Sequence, residues 1–269
     1  MSDANATVMR RVAPPSRPSA ASNALVFAWR AILKFKHMPE QLFDLVITPV
    51  MLTLLFTFIF GGALEGSTKN YLQYYVPGIL VQMVFFNSAY SGMALSTDLS
   101  KGLFDRFKTL PIWSHAPFAG LMVGDLMRHL ISCLMILVVA LPLQYRPEAG
   151  IAGVLATFAL LSVIGVGVGV GCIFMVIGLL VRTAATVVPI SYAVVFPLTF
   201  ASNIMVRPET MPPTLRYLVE LNPVSTMVTA IRGLMAGTAT GQEIAYALIA
   251  PVTLILTLPP VVLWLLRRK

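Results

Sequence analysis

Long apolar runs alternate with short polar breaks along this chain. Taken in order, they predict helices over about Leu42–Gly61, Tyr74–Leu95, Phe118–Leu143, Ile151–Val181, Ala184–Val206 and Ile244–Leu266. Each holds roughly 20 residues or more, and at about 1.5 Å per residue that matches a hydrocarbon layer about 30 Å thick. Residues 24–37 come first and read ALVFAWRAILKFKH. Leu25, Trp29, Ile32 and Leu33 recur at three- and four-residue intervals, while Arg30, Lys34 and Lys36 fall elsewhere. That pattern predicts an amphipathic helix lying in a membrane interface. Two shorter amphipathic stretches, TLRYLVEL over 214–221 and VSTMVTAIRGLMAG over 224–237, are too short to cross. Asn222 is placed to cap the second, Pro223 to start it and Gly237 to close it. The expected fold class is an all-α integral membrane protein. It has six transmembrane helices, an N-terminal interfacial helix, one internal polar helix and short outer re-entrant helices.

Composition supports the membrane class. The 269 residues are 57% hydrophobic and 11% charged, with a mean hydropathy of +0.83, whereas soluble domains carry about 25% charged residues. The expected organisation is a disordered tail over 1–23, the interfacial helix over 24–38 and the membrane domain over 39–269. The tail is polar and lacks the apolar core of a signal peptide.

The net charge of +8 would suggest nucleic acid in a soluble protein. Here the basic residues gather at span ends, and no basic stripe with interleaved aromatics stands in a polar segment, so no nucleic-acid partner is expected. One side collects thirteen: Arg10, Arg11, Arg17, Arg30, Lys34, Lys36, Lys101, Arg106, Lys108, Arg182, Arg267, Arg268 and Lys269. The other has five: Lys69, Arg146, Arg207, Arg216 and Arg232. The positive-inside bias therefore puts both termini in the cytoplasm.

Ser96–Pro111, STDLSKGLFDRFKTLP, is the principal internal loop on that count. Leu99, Leu103, Phe107 and Leu110 share one helical face, and Lys101, Asp105, Arg106 and Lys108 lie elsewhere. The spacing predicts a short helix over Asp98–Leu110, capped by Asp98 or alternatively Thr97 and stopped by Pro111. Asp125 and Arg128 stand three apart inside the third span, where charges need partners, and each can serve the other.

Catalytic chemistry is missing. His37, His115 and His129 lack metal-ligand spacing, Cys133 and Cys172 lie in apolar runs, and no metal site is expected. Gly61 and Gly66 have phosphate-loop separation, but no Lys follows Gly66 and no strand precedes it. The glycines of VIGVGVGVG sit within an apolar run, where Gly165/Gly169 and Gly167/Gly171 fit close helix packing. Acidic groups inside spans are few, which argues against ion coupling and for energy from another chain.

Three stretches resemble the permease subunits of ABC-2-type exporters, the type V group that includes daunorubicin-resistance-like proteins. They are LSTDLSKGLFDRFKTLPI (Leu95–Ile112), AGLMVGDLMRH (Ala119–His129) and LNPVSTMVTAIRGLMAG (Leu221–Gly237). The resemblance implies a half-transporter of a bacterial cell membrane that pairs with a second copy of itself. Two separate ATPase subunits would carry ATP and Mg, and this chain would hold no cofactor and no catalytic residue. Asp98–Leu110 would be the coupling helix, with Leu103, Phe104 and Phe107 as apolar anchors. Lys101, Asp105, Arg106 and Lys108 would make polar contacts. The paired outer helices, with Asn222, Pro223 and Arg232, would map to 213–236.

The spans carry aromatic rather than charged groups, so the expected cargo is a hydrophobic or amphipathic drug, antibiotic or lipid. Phe85, Phe86, Asn87, Tyr90, Phe196, Phe200 and Asn203 are candidates for the wall of its path. A stand-alone carrier or channel and a non-transporting scaffold or immunity protein are the competing readings.

Overall fold

The structure, a computed structural model, describes residues 39–103, 116–166, 169–181 and 183–268, with the single positions 26, 29 and 33. Val26, Trp29 and Leu33 are helical and exposed on one face. The rest of the interfacial helix, and the tail, lie outside the described residues.

Nine α-helices follow among the described residues. They are α1 (Pro39–Glu65), α2 (Thr68–Ser100), α3 (Ala116–Ala140), α4 (Gly150–Val166), α5 (Gly169–Leu180), α6 (Ala184–Phe200), α7 (Pro213–Leu221), α8 (Pro223–Ala236) and α9 (Gly241–Arg268). Four contain stretches long and apolar enough to cross a membrane: Leu45–Glu65, Thr68–Ser100, Gly120–Ala140 and Gly241–Val262. The fold is helical, and no strand occurs among the described residues.

The centre is α2, which packs against α1, α3, α5, α6 and α8. Its start is fixed by Ser67, whose hydroxyl accepts the Asn70 N–H at 3.1 Å. The helix has 33 residues, a length of about 50 Å that exceeds a hydrocarbon layer of about 30 Å. Tyr71, Tyr75, Ile79, Leu80 and Met83 are fully buried in the main core, with Ile136 of α3, Ile164 of α4 and Ile231 of α8. A second cluster joins Leu95 of α2 to Cys172, Met175 and Leu179 of α5 and Val262 of α9.

Apolar burial alone does not hold helices together in lipid, because lipid tails are as apolar as the side chains. Close backbone approach does. A Cβ on Gly92 of α2 would collide with the Phe174 carbonyl oxygen of α5, and one on Gly178 would collide with the Gly92 carbonyl. Only glycine fits at this crossing.

The fourth span is described as α4, to Val166, and α5, from Gly169, with residues 167 and 168 outside the described residues. Two expected boundaries change. The fifth stops at Phe200 rather than Val206, because the Asn222 side-chain amide donates to the carbonyls of Leu198 and Ala201, both at 2.7 Å. Finally, Asp98 does not open a helix. No breaker stands between Leu95 and Gly102, so α2 continues through Asp98 to Ser100. It closes with the Lys101 N–H on the Thr97 carbonyl and the Gly102 N–H on that of Leu99. Gly102 takes a left-handed φ of 63° that only glycine adopts freely.

Candidate functional site

Four places carry polar or aromatic groups with structural consequence. The first is the end of α2. Asp98 is buried, Lys101 is exposed, and Leu103, half-buried, is again helical. Phe104, Asp105, Arg106, Phe107, Lys108 and Leu110 lie outside the described residues.

The second lies within the bundle, one helix further in. Asp125 and Arg128 of α3 form a buried ion pair, and the Ser91 hydroxyl of α2 donates to the other Asp125 oxygen. The Arg128 guanidinium stands 5.9 Å from the Tyr90 ring. A Cβ on Gly171 would lie 3.6 Å from both Asp125 Oδ2 and Ser91 Oγ, so α5 sits beside the carboxylate. Asn87 donates to Ser132 Oγ at 2.9 Å, and Ser132 donates to the Leu45 carbonyl at 3.1 Å, joining α2, α3 and α1.

His129 is part of this layer. Ser88 donates its hydroxyl proton to the Val84 carbonyl at 2.7 Å, so against His129 Nε2, at 3.3 Å, it can only accept. The ring therefore carries its proton on Nε2, and Nδ1 faces Gly165 of α4.

The third place is an aromatic row. Phe86 of α2 meets Tyr192 and Phe196 of α6 at centroid distances of 5.4 and 5.2 Å, and Phe200 continues the row 5.6 Å from Phe196. Phe86 is buried, whereas Phe196 and Phe200 are exposed. Of the seven residues expected along one path, the structure brings together these three. Phe85 is in the core, Asn87 bonds to α3, Tyr90 stands by Arg128, and Asn203 sits in the turn after α6. Sequence reading missed Tyr192, although its four-residue spacing from Phe196 could have shown it.

The fourth place is at the opposite end of α2. Arg232 of α8 lies 3.8 Å over the Tyr74 ring and donates to the Tyr74 and Asn203 carbonyls at 3.1–3.3 Å. Tyr74 in turn donates its hydroxyl toward the carbonyls of Asn203 and Val206. Arg207 stands 4.8 Å from the same ring and holds Glu65 of α1 through two nitrogens, at 2.5 and 3.3 Å. That hydrogen bond is the main reason the Arg207 guanidinium is raised above its ordinary pKa. Asn222 accepts the Val224 N–H at 2.9 Å, Pro223 opens α8, and Gly237 closes it with φ 76°. A cavity of about 440 Å³ opens beside Tyr74, Asn203 and Arg232. Nothing in the local sequence signals it, because its walls bring together residues as far apart as Tyr74 and Tyr246.

Among the described residues no three His, Cys, Asp or Glu side chains could share a metal ion. Both cysteines are free and buried.

These sites sit in a helical protein with four stretches long and apolar enough to cross a membrane. The chain belongs to the ABC-2 type transporter family, whose model matches residues 23–236. It is 40% identical over 263 residues to the daunorubicin resistance ABC transporter permease protein DrrB1 of Streptomyces coeruleorubidus, covering 98% of this chain and 92% of that one. It is also 25% identical over 213 residues to ycf38, a candidate transport permease of Cyanophora paradoxa, covering 77% and 72% of the two chains. The chain is thus a permease component of an ABC transporter, a role that implies an ATPase partner.

Proposed function

We propose that two copies of this chain form the membrane part of an ATP-driven exporter of hydrophobic or amphipathic drugs, antibiotics or lipids. The observation that carries this reading is the 40% identity, over 98% of the chain, to a drug-resistance permease. The exposed Phe196 and Phe200, backed by buried Phe86, add an aromatic wall suited to apolar cargo.

Six crossings follow if α4 with α5 makes the fourth and α6 with residues 201–206 the fifth. Both termini then face the cytoplasm of a bacterial cell. The 98–110 segment lies on that face, and each copy docks there on a separate ABC ATPase that binds ATP and Mg. ATP hydrolysis belongs to that partner chain. Movement of the docked segment reaches α3, which the Asp125–Arg128 pair and Ser91 tie to α2. The paired short helices α7 and α8 sit at the outer face.

Reconstitution with the co-purifying ATPase tests this reading. Phe107→Asp is expected to abolish substrate-stimulated ATP hydrolysis while the complex still inserts in the membrane. Stimulation at the wild-type level in that variant rules out docking through this segment.

A further inference from the structure

The cavity beside Tyr74 holds charges of both signs that do not close on each other. Arg207 and Arg232 line it, as do Glu209, Glu220 and Glu243. Two of these are tied outward: Arg207 to Glu65, and Glu220 to Arg216 at 2.6 Å. Glu243 uses one oxygen to accept the Thr240 N–H at the start of α9. Among the described residues no ion pair joins either arginine to Glu209 or Glu243, although Glu209 lies within electrostatic reach of both guanidinium groups.

The geometry of the arginines leaves one edge of each available. Arg232 bonds through Nε and Nη2, and Arg207 also through Nε and Nη2. In both, Nη1 makes no hydrogen bond among the described residues. Both guanidinium groups are held against the same Tyr74 ring. The buried part of the wall, Tyr74, Asn203 and Ser225 with half-buried Arg232, is therefore basic. Its exposed rim, with Glu209 and Glu220, is acidic. A simple anion would meet the carboxylates at the rim, and a simple cation would meet Arg232 below. A ligand carrying both charges a few bonds apart answers both.

We propose that this cavity binds a zwitterionic phosphoethanolamine head group, with its phosphate on the free edges of Arg207 and Arg232 and its ammonium between Glu209 and Glu243. A primary ammonium offers N–H donors to those carboxylates, and a quaternary choline offers none. The head group belongs to an outer-leaflet lipid if the chain is oriented as proposed above. That placement rests on the exporter reading, but the binding chemistry does not.

Native mass spectrometry of the full chain in detergent, without nucleotide or ATPase, tests the site apart from transport. Phosphatidylethanolamine should bind roughly tenfold more tightly than phosphatidylglycerol, with phosphatidylcholine between them, a factor of ten being about 1.4 kcal/mol. The Glu209→Gln/Glu243→Gln variant should lose that preference. Gln at 243 can still accept the Thr240 N–H, so the start of α9 is preserved. Soluble glycerophosphoethanolamine distinguishes the sources: lipid retained in its presence supports a lipid ligand, and displacement supports a free zwitterion in the same site. Equal binding of phosphatidylethanolamine and phosphatidylglycerol, or an unchanged ratio in the double variant, overturns the proposal. The unaltered chain showing the lipid preference but no ATP-driven transport with its ATPase would overturn the exporter reading alone.

Discussion

Helices α2 and α9 are both long enough to cross a membrane, yet they occupy opposite environments. The apolar window of α2 is 83% buried within the protein, and that of α9 is 11% buried. The less apolar helix is the one inside. In water this order would be reversed. In lipid the apolar helix can stay outside, because exposure to hydrocarbon costs it nothing, and the helix with Gln82, Asn87, Ser88 and Ser91 must find partners. Hydropathy along this chain therefore marks the helices turned away from the bundle, and polarity marks the interior.

Substitutions can break this contrast, and the largest effect is expected at the crossing of α2 and α5. Gly92→Ala should cost about 3 kcal/mol by overpacking against the Phe174 carbonyl. It would be read as a fall in the unfolding midpoint of the detergent-solubilised chain. Asp125→Leu should cost nearly as much, about 3 kcal/mol, since it removes the carboxylate that both Arg128 and Ser91 address. Simultaneous Asp125→Leu/Arg128→Met should recover much of the loss, and a double-mutant cycle measures the difference. Asn87→Ala removes one interhelical hydrogen bond and should cost about 1 kcal/mol by the same assay. Leu256→Ala on α9, at a side chain 71% exposed, should change monomer stability by less than about 0.5 kcal/mol. A large effect there would mean that α9 is covered, and cross-linking between copies through a cysteine at 256 would show by what.

The same contrast explains what the sequence could reveal. Span existence was legible because long apolar runs mean lipid contact, as in α1 and α9. The caps at Asn222 and Gly237 were legible because they are local. Asp125 and Arg128 declared each other through a three-residue spacing. Ser91, which completes the cluster, was invisible because it comes from another helix. Tyr74, Asn203 and Arg232 gave no sign of meeting for the same reason. Of the path residues, Phe86, Phe196 and Phe200 converged, while Phe85 and Asn87 did not. Neighbours in sequence point to different sides of a helix, and reading them as one wall ignored the 100° step between residues implied by 3.6 per turn.

The contact between Gly92 and Gly178 is made by main chain on both sides. Such a contact has no rotamers to yield and no soft layer to compress. It fixes the separation of α2 and α5 at that point, and a pair of hydrogen atoms, the smallest side chains available, is what lets the two backbones come so close.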